Sequence, residues 1–348
     1  MRKHLVAILK FLGFLSIGIL LLWLVFRKVP LQDVMYQFRH ANYWWVLLSV
    51  VIGVISHLAR AARWNILISS MGYPTKLSST FYAVMTGYFV NAAVPRLGEL
   101  TRCGVLSRKD KIPLNNLFGT VVAERAFDML MLLLIMFLVV IFQLELLGDF
   151  VNDQVVSPLY IKFHDSAGYI LLVVLVLIFM LVASVLMFRL YWPKIKHKGF
   201  ALKINDFIVG FMNGLKTIQR LNQKFAFIFW TILIWLGYGT MTYVVFKALT
   251  ATSGLDFADG FTVMAIASMG MIAPVPGGIG AYHFFATLVM FELYGIPKPA
   301  AASWATIAHA SQGILILSVG AVSYLMIILQ IRKKNHGISQ SHRIQNQG

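Results

Sequence analysis

Charge is scarce in this chain, and acid is scarcer than base. Of its 348 residues only 12% are charged, with 13 Asp and Glu against 30 Lys and Arg. A soluble globular domain carries roughly twice that charged fraction, so no stretch here is both long and polar enough to form a separate soluble domain. A single cysteine, Cys103, excludes an internal disulfide and leaves the redox compartment open. The chain also lacks a His-Glu-x-x-His zinc motif, a phosphate loop, a nucleophile elbow and clustered metal ligands. No cofactor or metal is expected from it.

What the chain has instead is hydrocarbon. It is 59% hydrophobic, its mean hydropathy is +0.77, and several apolar runs reach the ~20 residues a helix needs to cross a bilayer. Clear spans are expected at 5–26, 43–66, 117–144, 169–192, 225–249 and 300–330. The first follows Met1-Arg-Lys-His and is too long for a signal peptide. Arg27-Lys28 stands where a small-residue cleavage site belongs, so it reads as an uncleaved span. The net charge of +17 sits in short loops at the ends of apolar runs. That is the distribution of topology signals, with anionic headgroups as partners and nucleic acid excluded.

Two further apolar segments, 78–108 and 260–294, are interrupted. The first breaks at Asn91-Ala-Ala-Val-Pro-Arg-Leu-Gly-Glu99 and the second at Pro274-Val-Pro-Gly-Gly-Ile-Gly280. Pro removes a backbone donor and Gly permits turns, so neither reads as one continuous helix. Loops 145–168 and 250–259 are acidic, whereas 60–76, 102–111, 193–224 and the stretch after 331 are basic. Basic loops lie on the cytoplasmic side. Each interrupted segment then enters and leaves by one face, the first from inside and the second from outside. The short loop 27–42, with Arg27, Lys28, Arg39 and His40 against Asp33, fits this arrangement poorly.

The expected fold is therefore an all-α integral membrane protein of about six full transmembrane helices plus two re-entrant broken-helix hairpins in an inverted-repeat arrangement. A single domain, 1–330, has inverted halves at about 1–147 and 168–330, followed by a disordered basic cytoplasmic tail, 331–348. Both termini face the cytoplasm, and the cytoplasmic membrane is the expected location. Inverted repeats whose discontinuous helices meet near the midplane recur among secondary transporters.

Non-helical backbone at membrane depth requires burial in protein or contact with water, so a polar cavity is expected between 91–102 and 274–283. At the first break Asn91, Arg96, Glu99 and Arg102 are candidates for an anion site; at the second, Gly277, Gly278 and Gly280 would supply backbone donors. Arginine offers forked donors to phosphate oxygens. The alternative pairs Arg96 with Glu99 or Glu124 and leaves Arg102 at the cytoplasmic surface. In Glu124-Arg-Ala-Phe-Asp128, Glu124 and Asp128 share one helical face while Arg125 is rotated away. Charges inside a span usually face the protein interior or a water path, so Glu124 is assigned a proton-coupling or arginine-balancing role and Asp128 is left open. Arg60 and Arg63, one turn apart beside Trp64, are expected to anchor at the headgroup level, with lipid phosphate as the alternative. His309 and Gln312 are expected to bond between helices, His283 to be a satisfied interior histidine, and 203–222 to lie in the cytoplasmic interface.

These residues resemble the lysylphosphatidylglycerol synthase transmembrane-region family. The resemblance rests on Arg60-Ala-Ala-Arg-Trp64, Gly87-Tyr-Phe-Val-Asn91, Pro95-Arg-Leu-Gly-Glu99 with Arg102, Glu124-Arg125 with Asp128, and Pro276-Gly-Gly-Ile-Gly280. It implies flippase-like movement of a lipid headgroup. The lysyl transfer of family members fused to a soluble domain is not expected of this chain. The leading expectation is translocation of a phospholipid or polyprenyl-phosphate-linked lipid. The alternatives are a membrane-embedded lipid-modifying transferase and a non-transporting partner of a lipid or glycan synthesis enzyme.

Overall fold

The computed structural model describes residues 2–95, 97–144, 148, 157, 221–272 and 275–345. Every regular element among them is helical. Four helices are long and apolar enough to cross a membrane: α3 (Tyr43–Ser69), α6 (Leu114–Phe142), α7 (Lys224–Phe246) and α10 (Lys298–Gln345, spanning through Arg332). A fifth span is formed if α1 (Arg2–Phe26) and α2 (Leu31–His40) are counted together. The expected span 169–192 and the amphipathic stretch 203–220 lie outside the described residues.

The poorly fitting loop 27–42 is not a simple loop. α1 stops at Phe26, and the extended backbone of Pro30, which precedes α2, launches that helix at 88° to α1. α2 packs against α10, and Phe38 joins an apolar cluster around Trp304 and Phe246. At the other end of the chain α10 continues as helix into the basic stretch, to Gln345.

α3 is the central post. Asn42 caps it by accepting from the Trp44 N–H at 3.1 Å, and Tyr43 and Trp44 stand exposed at its start, where amphipathic rings suit a membrane interface. Its long partner is α7. Small residues bring the two backbones together, with Ser49 and Ser56 on α3 buried and Gly237 set against Ser56.

Both interrupted segments are helix–break–helix units folded back on themselves. α4 (Leu77–Ala93) and α5 (Leu97–Asp110) pack on each other around Val94 and Pro95. The approach is too close for side chains: a Cβ on Gly98 would lie 2.1 Å from the Gly87 carbonyl oxygen. α8 (Phe257–Ile272) and α9 (Ala281–Leu288) pair likewise across the turn Pro276–Gly278. Gly280 there has φ +85°, and a Cβ on it would lie 1.9 Å from the Gly18 carbonyl oxygen of α1. The left-handed backbone and the missing side chain are both needed at that one position. The two breaks adjoin, since a Cβ on Gly277 would meet the Ala92 carbonyl oxygen at 3.8 Å.

Candidate functional site

Helical spacing gathers the charged groups. On α3, Arg60, Arg63 and Trp64 share one face, and on α6 Leu117, Thr120, Val121, Glu124 and Asp128 form one stripe. α5 delivers Arg102 from the far side of the first break, and α7 delivers Thr231 and Tyr238. The Trp64 indole N–H donates to the Thr120 hydroxyl at 2.9 Å, locking α3 to α6 one turn from Glu124.

Glu124 is the hub. Its Oε1 accepts from Arg60 Nε at 2.8 Å and from Arg63 Nη2 at 3.2 Å, while Oε2 accepts from Arg102 Nη2 at 2.8 Å. Asp128 accepts from Arg63 Nη2 at 2.7 Å and also pairs with Arg60. Arg60 Nη1 donates to the Tyr238 hydroxyl at 3.1 Å, and Arg63 Nη1 to Thr231 at 3.4 Å. Aromatic faces cover the cations: Arg102 lies 4.6 Å from the Trp64 ring centroid and Arg63 lies 5.7 Å from that of Phe227. The Glu124 and Arg63 side chains are fully buried.

Among the described residues three guanidinium groups thus share two carboxylates, one positive charge in excess within the buried cluster. A looser pair borders it. Arg125 Nη2 lies 3.5 Å from Glu99 Oε1 and Arg125 Nη1 lies 3.9 Å from Asp128 Oδ2, with the Arg125 side chain 45% exposed. Several donors inside are unused. Nε of Arg63, Nε of Arg102 and both ring nitrogens of His57 have no hydrogen-bond partner among the described residues. His57 lies against the Tyr88 ring at 5.0 Å, and Tyr88 lies under Arg60.

The outcome for the expected site residues is uneven. Arg60 and Arg63 are not headgroup anchors, because both are buried in ion pairs. Arg102 does not reach the surface, because Glu124 holds it inside. Asp128, left open, is part of the cluster. Asn91 serves the break itself: its Oδ1 accepts from the Gly98 N–H at 2.7 Å, and its Nδ2 donates to Glu99 at 3.4 Å. Arg96 lies outside the described residues.

Of the three donors expected at the glycine turn, those of Gly278 and Gly280 are engaged within the turn and the helix that follows it. The N–H groups of Gly278 and Ile279 donate to Val275 and Pro276, and that of Gly280 donates to His283 Nδ1 at 3.3 Å. Its carbonyl is engaged as well, because His309 Nε2 meets Gly277 O at 2.9 Å. Gln312 Nε2 donates to Ser49 Oγ at 3.4 Å, so His309 and Gln312 both bond between segments. The turn therefore serves close packing, and the charges gather on the α3–α5–α6–α7 side of the two breaks. Tyr238 and Thr231 went unnoticed in the sequence, their only signal being a polar group inside the apolar run 225–249.

Long apolar helices around a buried ion cluster define a multi-pass integral membrane protein. The lysylphosphatidylglycerol synthase TM region family matches residues 8–320, and the chain belongs to that family. The UPF0104 membrane protein MJ1595 of Methanocaldococcus jannaschii is 22% identical over 92% of this chain and 96% of its own length. A UPF0104 membrane protein of Methanothermobacter thermautotrophicus is 23% identical with the same coverage of both chains. The UPF0104 membrane protein PH1989 of Pyrococcus horikoshii is 25% identical over 87% of this chain and 90% of its own. No solved structure gives a significant match.

Proposed function

We propose that this protein moves a phosphate-bearing lipid, a phospholipid or a polyprenyl-phosphate-linked lipid, between the leaflets of the cytoplasmic membrane. The observation that carries this reading is the buried excess, among the described residues, of one guanidinium over the carboxylates in the group Arg60, Arg63, Arg102, Glu124 and Asp128. Ionisable groups at membrane depth are costly, and an uncompensated cation there calls for an anionic partner. A headgroup phosphate supplies one, with oxygens suited to forked donors. Arg125 is the point of entry, because it is half-exposed and its bonds to Glu99 and Asp128 are the longest in the network. A phosphate reaching Arg125 displaces Glu99 and lies next to Asp128 and Arg60. The acyl or prenyl part stays on the hydrocarbon side throughout.

In this reading α4–α5 and α8–α9 are re-entrant hairpins entering from opposite faces, in two inverted halves, with both termini cytoplasmic. Helix length supports it: α5, at 14 residues, covers ~21 Å, short of the ~30 Å hydrocarbon core. The adjoining of the two breaks supports it further.

The test uses purified protein in liposomes holding a fluorescent phosphatidylglycerol, with dithionite quenching of the outer leaflet as readout. Wild type is expected to expose inner-leaflet lipid well above protein-free vesicles. Arg125→Gln, a partly exposed position that leaves the buried pairs intact, is expected to slow it several-fold. Equal rates for wild type, variant and empty vesicles overturn the reading for that lipid.

A further inference from the structure

The face of α6 that carries Glu124 and Asp128 does not end at the charges. It continues through Met131, Ile135 and Leu138, which form one wall of a cavity of about 350 Å³. Trp235 of α7 and Ala258 and Phe261 of α8 line it as well, and the surface among the described residues is almost wholly apolar. The cavity touches the ion cluster through shared packing. Met131, Ile135 and Trp235 belong to the same apolar cluster as Ala59, the neighbour of Arg60, and Tyr238, its hydrogen-bond partner. The far end is closed by a polar clasp, where Gln143 Nε2 donates to Asp259 Oδ1 at 3.0 Å and ties the end of α6 to the start of α8. One helix face therefore presents charge, then hydrocarbon, then a stop.

We infer that this groove seats one hydrocarbon chain of the lipid whose phosphate occupies the ion cluster. The inference rests on the phosphate-lipid reading and adds where the tail goes. Hydrocarbon gains little by leaving lipid for an apolar groove, so a chain alone has no reason to prefer it. Tethering supplies the reason: a phosphate held near Asp128 and Arg60 places its own chain at the mouth beside Met131. The length agrees. From Met131 to Phe142 α6 rises ~17 Å, close to the half of a ~30 Å hydrocarbon core that one leaflet's chains cover. With the cluster toward the cytoplasmic side and the clasp toward the outside, the seated molecule has the orientation of an inner-leaflet lipid. The groove is then a loading seat, and occupancy depends on headgroup charge.

The test is photocrosslinking on the full chain in phosphatidylcholine nanodiscs. The probe is phosphatidic acid with a diazirine at the end of one acyl chain, and the control is diacylglycerol carrying the same diazirine. Phosphatidic acid is expected to label peptides covering 131–142, 232–236 and 257–262, and excess unlabelled phosphatidic acid should reduce that labelling several-fold. Ala258→Trp, which fills the groove away from every charged group of the cluster, should reduce it several-fold too. Ala258→Leu replaces it if the larger side chain prevents folding. Equal labelling by the uncharged probe, or labelling that neither competitor nor variant reduces, means boundary lipid only and overturns the seat. Labelling confined to other peptides, including 145–220 of this chain, overturns it as well. Translocation measured on the same preparations separates the two ideas. Competed groove labelling without movement retains the seat and removes transport; movement together with labelling that neither competitor nor variant reduces does the reverse.

Discussion

Replacing Glu124 by Gln is the sharpest perturbation the cluster allows. The side chain keeps its shape and an acceptor oxygen, so no cavity opens and the change is one of charge. Three guanidinium groups lose their shared partner: Arg60 Nε and Arg63 Nη2 at Oε1, and Arg102 Nη2 at Oε2. Asp128 still holds Arg60 and Arg63, but Arg102 is left with no carboxylate within pairing distance among the described residues. Removing one partner of a buried ion pair costs ~3–5 kcal/mol, chiefly through the stranded charge. Glu124→Gln is therefore expected to destabilise by that amount, read as the midpoint of reversible SDS unfolding in mixed micelles with tryptophan fluorescence as signal. Removing the stranded cation should recover much of the loss. In Glu124→Gln with Arg102→Met, the apolar side chain can still lie on Trp64, and the double variant should be more stable than the sum of the two single losses by ~1–3 kcal/mol. A loss below ~1 kcal/mol for Glu124→Gln, or additivity within ~0.5 kcal/mol, would refute the claim that the cluster is an electrostatic unit.

The close helix approaches make a graded prediction. Gly98→Ala puts a methyl group against the Gly87 backbone oxygen, which cannot rotate away, and should cost ~1–3 kcal/mol in the same assay. Gly237→Ala meets chiefly the Ser56 hydroxyl, a rotatable atom, with the Ser56 Cβ at 3.3 Å, so it should be milder, and Ser56→Ala should relieve most of what it costs. His309→Phe removes the bond to Gly277 O while keeping a ring beside Tyr282, and ~1 kcal/mol of lost stability is expected. Faster hydrogen exchange at 277–280 than in wild type would locate that loss at the second break, and unchanged exchange would count against the bond.

The two breaks were legible because Pro and Gly act locally. Pro95 and the Pro276-Gly-Gly turn interrupt their own helices whatever surrounds them, and the structure interrupts α4–α5 and α8–α9 there. The bend after α1 was equally local, at Pro30, but charge counting treated 27–42 as a loop and overlooked a short amphipathic helix. The roles of the arginines were not legible, and the reason is range. Arg60 and Arg63 have the same spacing whether they face headgroups or a core; what decides is a partner 61–68 residues away on α6, which no window on α3 contains. Glu124 could be assigned inward because its cost inside a span is a property of that span alone. Its partners could not be, since Arg102 arrives only after the chain has turned at Pro95 and come back along α4. The same asymmetry explains the glycine turn. Its conformational freedom is written in Pro276-Gly-Gly-Ile-Gly280, whereas the commitment of its N–H groups to Val275, Pro276 and His283 depends on how the turn closes. An expectation that rests on one segment's own backbone carries over to the folded protein. One that rests on which charges meet needs the topology first, and here the topology gathers the arginines with Glu124 and Asp128 on the shared face of α3 and α6.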